Sequence, residues 1–340
     1  MGCFGAIRLV LTLSAIGSAP ATAPLDADMT PPRVQGKPVE VSIGFYILDF
    51  ARITSRDESF DVTGYLELNW RDPRTARPES TANGVTRHAP GKIWTPRVFF
   101  ENALEQPRFH FDPVIEADDE GRVSSWVIVS GKFSVPMNLR QFPFDRQVMS
   151  VRIGTFEDES VQSLQVDPAL VMVDEKAFVT DWTIEKASAR VEPRRYVPGQ
   201  ETYPSYIYQV VVQRQWTFYF WRVLVPLTLL TIVAWAAFWF EPSGLQPQIS
   251  TCTAALISLV AFNFAIDFSL PKVAYLTFVD KHALIGFGFV TAAAATVTYV
   301  HVALDRGRRD RAQRIQRFAR WLFLPAYACA VGLNLVNALL

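Results

Sequence analysis

The pattern of apolar and polar residues changes character near Arg214. Before that residue, apolar and polar positions alternate with a period of two in several segments, which predicts β-strands. The segments lie at 39–47, 60–68, 123–129, 147–153 and 206–212. Clusters of Pro, Gly, Asp and Arg between them are typical of turns. Many short strands at this spacing predict an all-β, immunoglobulin-like sandwich.

After Arg214 the alternation gives way to long apolar runs. Four of them are long enough to cross roughly 30 Å of hydrocarbon at about 1.5 Å per residue. They lie at about 218–240, 249–270, 284–304 and 318–339. The sequence therefore predicts a transmembrane domain of four α-helices over residues 217–340, with the sandwich in residues 24–216.

The N-terminal segment predicts export of the sandwich. Residues 1–23 combine Arg8, an apolar stretch and small residues that end in Ala21-Thr22-Ala23, which is typical of a secretory signal peptide. An uncleaved anchor is the alternative. Between the last two apolar runs, residues 303–320 contain seven Arg and two Asp, which should stay in the cytoplasm. Both signals place residues 24–216 on the outer side of the membrane and predict a protein that crosses the membrane several times.

Composition excludes several classes of protein. The chain has 33 basic and 33 acidic residues, three Cys and four His. Balanced charge gives no reason to expect a nucleic-acid partner. The Cys and His residues lack the spacing of a metal site, and no nucleophile–base or phosphate-loop motif indicates an enzyme. We therefore expect no metal, no cofactor and no catalytic residue.

The second apolar run carries a stripe at helical spacing. Steps of three and four residues place seven positions on one helical face: Gln246, Ser250, Ala254, Ile257, Ala261, Phe264 and Phe268. Several such helices around an axis would line a pore, which rings of Ile257 and Phe264 would close by dewetting. Asp267 would add carboxylates at its outer mouth. The alternatives are helix-packing residues and a solvated helix-end carboxylate.

Ordered motifs resemble the pentameric ligand-gated ion channels, or Cys-loop receptors. Residues 142–147 read Phe-Pro-Phe-Asp-Arg-Gln, which resembles the signature F-P-F-D-x-Q loop of that family. Val135 and Met149 stand where animal members carry the two Cys, as in the bacterial branch that lacks this disulfide. Further matches are Trp70-Arg71-Asp72, Trp94-Thr95-Pro96, Phe100-Glu101-Asn102-Ala103, Gly154-Thr155-Phe156, Val212-Gln213-Arg214, Pro226 and Leu270-Pro271-Lys272.

The resemblance implies a homopentamer in the bacterial inner membrane, surrounded by lipids, with the sandwiches in the periplasm. A small-molecule agonist would bind between sandwiches, and the second helix would conduct monovalent ions. The implied ligand-binding residues are Phe156, Tyr196, Tyr203, Phe99 or Phe100, Asn102, and Tyr65 of the neighbouring subunit. Aromatic rings around one cavity attract a cation, so we expect a small amine. The alternative for each ring taken alone is packing in the sandwich core or at an interface, whereas their joint placement favours a binding site.

The resemblance also implies residues that couple ligand binding to the pore. They are Asp57, Glu58, Phe142, Pro143, Asp145, Arg214, Pro271 and Lys272. The alternative is that the charged residues form surface ion pairs worth about 0–1 kcal/mol. Asp267 and an outer domain with 28 acidic against 22 basic residues favour cations in the pore. A non-conducting, membrane-anchored ligand sensor is the alternative function.

Overall fold

The computed structural model describes residues 29–34, 36–76, 84–199, 201–241, 244–267 and 273–339. The predicted signal peptide, Phe268, Pro271 and Lys272 lie outside these residues. Eleven strands form within the described part of the outer domain. They are β1 (Val39–Thr54), β2 (Ser59–Arg71), β3 (Val85–His88), β4 (Val98–Phe100), β5 (Arg108–Phe109), β6 (Val114–Asp118), β7 (Arg122–Ser134), β8 (Arg146–Thr155), β9 (Gln162–Val166), β10 (Trp182–Arg194) and β11 (Tyr203–Arg214).

The strands form two sheets, so the predicted sandwich is confirmed. One sheet runs β3-β6-β7-β2-β1-β9, with β5 paired to β7, and the other runs β10-β11-β8-β4. All pairs are antiparallel except β1 with β9. The apolar faces of β1 and β11 meet between the sheets, where Phe45 and Tyr208 pack edge to face at 5.4 Å. Burial of alternate residues explains why period two identified the strands.

Four long helices follow the sandwich, and each is long and apolar enough to cross a membrane. We name them the first to fourth long helices. The first spans Thr217–Trp239 and contains a π-helical turn at Phe220–Leu224. The second spans Leu245–Asp267, the third Phe278–Asp305 and the fourth Arg309–Leu339.

Three helices begin earlier than their apolar runs predicted. The second begins at Leu245 rather than 249. Pro247 does not prevent this early start, because it lies in the first turn of the helix, where proline is tolerated. The third begins at Phe278 rather than 284. Its start is fixed by a capping box, in which Thr277 and Asp280 bond each other's backbone N–H groups.

The Arg-rich segment between the last two predicted apolar runs is mostly helical. The fourth helix begins at Arg309 rather than 318, and only residues 306–308 connect it to the third. Ala312 is fully buried there against Val300 and Ala303 of the third helix. An apolar stripe therefore continues through the charged segment, where mean hydropathy does not detect a helix.

Candidate ligand-binding, coupling and pore sites

Four aromatic side chains meet at one edge of the four-stranded sheet. Phe99 lies on β4, Phe156 follows β8, Tyr196 follows β10 and Tyr203 begins β11. The ring centroid of Phe99 lies 5.0 Å from the centroid of Phe156 and 5.9 Å from the centroid of Tyr196. The ring centroids of Tyr196 and Tyr203 lie 5.6 Å apart. We call these four residues the aromatic cluster. Phe156 is 56% exposed, so the cluster is open on one side.

A buried carboxylate lies under the aromatic cluster. The side chain of Glu101 is 4% exposed. It accepts hydrogen bonds from the Tyr196 hydroxyl at 2.8 Å and the Ser205 hydroxyl at 2.7 Å, and it pairs with Arg194. Burial raises the pKa of the Tyr196 phenol, and the bond to Glu101 raises it further. The phenol therefore remains neutral and donates a hydrogen bond to Glu101.

Gly154 makes this convergence possible. A Cβ at this position would collide with the Tyr196 hydroxyl oxygen and would lie 2.8 Å from Glu101 Oε1 and 2.9 Å from Phe99 Cζ. Any side chain would push at least one of these groups away. The Gly-Thr-Phe motif thus supplies both an aromatic ring and the space that the rest of the cluster occupies.

Two arginines line the cluster, and each is already paired with a carboxylate. Arg97 lies 5.5 Å from the Phe156 ring centroid and bonds Glu157 at 2.7 Å. Arg194 lies 5.4 Å from the ring centroid of Tyr196 and pairs with Glu101. The positive charges of Arg97 and Arg194 over the rings are therefore both compensated by carboxylates.

Two predicted ligand-binding residues lie elsewhere, which corrects the sequence analysis. Phe100 points into the sandwich, where its ring packs 5.5 Å from that of Phe133, because neighbouring strand residues face opposite sides. The Asn102 amide is used by the backbone. It donates to the carbonyls of Ser134 and Ser150 and accepts from the N–H of Arg152. Phe99 is thus the ring on β4 that joins the cluster.

Tyr65 lies on the other sheet, apart from the aromatic cluster of its own chain. It is on β2, 5.7 Å from the ring of Trp126, and its hydroxyl donates to Glu67 at 2.8 Å. Burial raises the pKa of Tyr65, and the bond to Glu67 adds to this. Phe111 packs against the same Trp126 at 5.4 Å. The sequence motifs did not identify Trp126. The alternation of β7 nevertheless places Trp126 on the strand face opposite the buried Val127 and Val129.

A buried ion pair lies where the sandwich meets the helices. The Arg214 guanidinium donates to both carboxylate oxygens of Asp145, at 2.7 and 3.1 Å, and the two side chains are 3% and 2% exposed. The guanidinium carbon Cζ of Arg214 lies 4.1 Å from the Trp182 ring centroid and 4.9 Å from the Phe142 ring centroid. The predicted partners thus form a desolvated pair rather than a surface pair.

The signature loop contacts the start of the third long helix. Phe144 packs 5.4 Å from the ring of Phe278, and the N–H of Phe278 donates to the carbonyl of Arg140 at 3.1 Å. The Tyr275 hydroxyl accepts the N–H of Leu139 at 2.9 Å. Pro143 is buried and follows a cis peptide bond. Sequence reasoning missed Tyr275 because its partners are distant in sequence.

The early hairpin turn reaches Arg214 through a residue that was not predicted. The Ser55 hydroxyl accepts a hydrogen bond from the Arg214 guanidinium at 2.9 Å. Asp57 is exposed, and Glu58 bonds the N–H of Met137 at 3.4 Å. Within the described residues, neither acidic residue forms an ion pair with Arg214. Their predicted electrostatic role is therefore not seen here, because the neutral Ser55 occupies that place.

The predicted stripe lies on the open face of the second long helix. The opposite face, which includes Cys252, Ala255 and Leu259, is buried against the other helices of the chain. Ile257 is 63% exposed and Phe264 is 62% exposed in the single chain. The described stripe residues are all exposed: Gln246, Ser250, Ala254, Ile257, Ala261 and Phe264. Asp267 is the last residue of this helix.

Comparison with known proteins identifies the family. Residues 21–216 match the neurotransmitter-gated ion-channel ligand-binding domain. The chain is 27% identical over 312 residues to a proton-gated ion channel of Gloeobacter violaceus, covering 91% of this chain and 85% of that protein. It is 23% identical over 296 residues to a glutamate-gated chloride channel of Drosophila melanogaster, covering 83% of this chain and 63% of the fly protein. The chain therefore belongs to the pentameric ligand-gated ion channels, a family of membrane channels rather than enzymes, each with a large extracellular domain.

Proposed function

We propose that this chain forms a homopentameric, cation-selective channel in a bacterial inner membrane, opened by a small amine that binds between periplasmic domains. The observation that carries the proposal is the aromatic cluster above the buried Glu101. Its open side exposes Phe156, and Tyr65 would complete it from a neighbouring subunit. Lipids of the membrane would surround the outer helices.

The chemistry of the cluster favours a cation. Ring faces attract ammonium groups by their quadrupoles, by about 0.5–2 kcal/mol each. Arg97 and Arg194 already occupy two such faces, and both guanidinium groups are neutralised by carboxylates. An arriving amine would take the place of a guanidinium over Phe156. Neither of these two arginines offers an unpaired positive charge to an anionic ligand.

The second long helix supports conduction along a central axis. In a single chain its stripe is exposed, and five copies around an axis would cover it. Hydroxyl and amide groups at Gln246 and Ser250 would hydrate the inner half. Rings of Ile257 and Phe264 would form the constriction that dewets when the channel is closed. Coupling would run from the cluster through β11 to Arg214 and the signature loop.

A flux assay in liposomes tests the proposal. We expect a panel of primary and quaternary amines to include one that opens a monovalent cation flux. Phe156→Ala should then raise the half-maximal amine concentration roughly 5- to 30-fold, equivalent to about 1–2 kcal/mol. Val148→Ala is the control, because Val148 is exposed on the same β8 strand, and it should leave the response unchanged.

Three other outcomes would each reject a part of the proposal. Opening by a pulse of acid without any amine would indicate proton gating, as named for the Gloeobacter relative. Opening by carboxylates alone, as the name of the fly relative suggests, would exclude the amine. Amine binding without any flux would indicate a membrane-anchored sensor.

A further inference from the structure

The inner end of the first long helix is held by side chains of two other helices. This helix closes with a short 3-10 helix at Ala237–Trp239, and the last carbonyl groups of a helix have no partner within it. Gln316 of the fourth long helix donates to the carbonyl of Phe238 at 2.9 Å and to the carbonyl of Phe240 at 3.0 Å. Gln248 of the second long helix donates to the same Phe240 carbonyl at 3.2 Å. One backbone oxygen therefore joins three helices.

Arg320 of the fourth helix strengthens this junction. It lies one turn after Gln316, and its guanidinium donates to the Phe238 carbonyl at 2.9 Å. Arg320 Cζ lies 4.5 Å from the Trp239 ring centroid, and the Arg320 carbonyl accepts the Trp235 indole N–H at 2.8 Å. The first and fourth helices are therefore fixed to each other at this end by hydrogen bonds and by a cation over a ring.

Burial makes these bonds costly to break. We call Gln248, Gln316 and Arg320 the inner clamp. Gln248 is 1% exposed and Gln316 is 4% exposed, so little water reaches their amide groups. A buried carbonyl that loses its donor pays the full cost of desolvation, and lipid offers it no replacement. The clamp therefore holds the three helix ends in one arrangement.

The clamp lies opposite the predicted pore stripe on the second helix. At 3.6 residues per turn, Gln248 lies about 200° around the helix from Gln246. Gln246 is exposed, whereas Ile249, about 60° from Gln246 around the same helix, is partly buried against the other helices. A rotation of this end by about 60° would exchange these two side chains at the open face. The bond from Gln248 to Phe240 opposes that rotation.

We infer that the inner clamp positions the inner mouth of the pore. It holds the second helix in the rotation that turns Gln246 toward the axis, and the fourth helix takes part through Gln316. The clamp acts through the Phe240 carbonyl and the direction of Gln246, not by contact with the permeating ions. The inference rests on the proposed pore along the second helix and is independent of the agonist.

Thiol labelling of the assembled, full-length protein tests this inference. Gln246→Cys and Ile249→Cys are made separately in a background without the native cysteines. A charged, water-soluble thiol reagent is applied to inside-out membrane vesicles, and mass spectrometry of the intact protein measures the rate of modification. We expect Gln246→Cys to react at least about tenfold faster than Ile249→Cys, because reaction follows the access of the thiolate to water. Adding Gln316→Leu, which removes both hydrogen bonds at similar volume, should bring the two rates within about threefold of each other.

Gln313→Leu is the matched control, because Gln313 is exposed on the same helix, three residues before Gln316. It makes the same chemical change outside the clamp and should leave the ratio of the two rates as it is. If Gln316→Leu does not assemble, Gln248→Leu removes the bond from the second helix and should narrow the ratio in the same way.

The remaining outcomes also decide the question. An unchanged ratio in Gln316→Leu overturns the clamp and leaves the pore face intact, even if the variant dissociates at a lower temperature, because that result would show a purely structural role. Equal narrowing by Gln313→Leu would show a general effect of the fourth helix and also overturn the clamp. Equal rates for Gln246→Cys and Ile249→Cys with the clamp unaltered would instead reject the proposed pore face, so the two failures are distinct.

Discussion

Single residues carry the connection between the two domains, and the Asp145–Arg214 pair shows why. Both charged groups are removed from water, so each depends on the other for its hydrogen bonds and its counter-charge. Removal of one partner from such a pair leaves an uncompensated buried charge. The aromatic rings of Trp182 and Phe142 around Arg214 exclude the water that would otherwise solvate it. The pair therefore fixes the end of β11 relative to the signature loop.

We predict that Asp145→Asn lowers the stability of the assembly by about 3–5 kcal/mol, because Arg214 remains buried without a counter-charge. The measurement is the midpoint of thermal dissociation of the solubilised protein. Arg146→Gln is the control, since it breaks the exposed pair with Glu185 next to it in sequence. That loss should stay within about 1 kcal/mol. Similar midpoints for the two variants would contradict a structural role for the buried pair.

Gly154→Ala tests the geometry of the aromatic cluster. The new Cβ would collide with the Tyr196 hydroxyl and Glu101, so the rings must separate. We expect the half-maximal agonist concentration to rise about tenfold or more, a loss of about 1–2 kcal/mol, while the protein still assembles. Gly332→Ala on the fourth helix meets no atom within 4 Å, and its dose–response curve should overlay that of the wild type.

The residues of the candidate site were predictable to different degrees. Phe156 was placed by its motif, and Tyr196 and Tyr203 by their position in the family resemblance; the structure brings the three together. Glu101 stands in the quoted Phe-Glu-Asn-Ala segment, yet its role depends on Tyr196 and Ser205, which are remote in sequence. Phe99 and Phe100 could not be distinguished by sequence, because a strand turns one of two neighbours inward and register decides which one.

At the scale of elements, burial on one face decided what could be predicted. Strands such as β2 and β7 bury alternate residues, so period two identified them. β10 is an edge strand with exposed residues along most of its length, and its polar sequence gave no such signal. The helices were found by their apolar runs, but their starts were not. Caps and polar faces set those starts, and hydropathy does not register them.

The second long helix carries the prediction for gating. Ile257 is large, apolar and exposed on the predicted pore face, so Ile257→Thr should ease wetting of the constriction. We expect a higher resting flux and opening at a lower agonist concentration, about tenfold lower if wetting costs roughly 1.4 kcal/mol less. Liposome flux before and after agonist measures both.

A matched control separates the pore face from general effects on membrane helices. Leu333 of the fourth helix is 62% exposed, and the fourth helix packs mainly on the third long helix rather than on the second, which carries the stripe. Leu333→Thr makes a similar change in polarity and should leave flux and sensitivity unchanged. If Ile257→Thr behaves like this control, Ile257 does not face the pore.

The whole molecule is understood only as an assembly. In a single chain the stripe of the second helix is exposed, and the aromatic cluster and the β2 face around Tyr65 are partly open. Association of copies around one axis would bring the cluster of one subunit to Tyr65 of the next and close the stripe around a pore. One hypothesis therefore explains three exposed surfaces at once. A subunit count of five in the membrane would support it, and a monomer would reject it.

Selectivity also belongs to the assembly, because it depends on the field of all subunits together. The outer domain has 28 acidic and 22 basic residues, and residues 246–268 contain no Lys or Arg. Five Asp267 residues at the outer end of the second helix would concentrate cations at the mouth. We therefore predict that Asp267→Asn lowers cation conductance most clearly in dilute salt, since screening acts over about 30 Å at 0.01 M but about 8 Å at physiological salt. Single-channel currents at both salt concentrations measure this effect, and Asp57→Asn, an exposed acidic residue in the β1–β2 turn, is the control. A reversal potential that follows the chloride gradient in the unmodified protein would show an anion channel and reject the prediction.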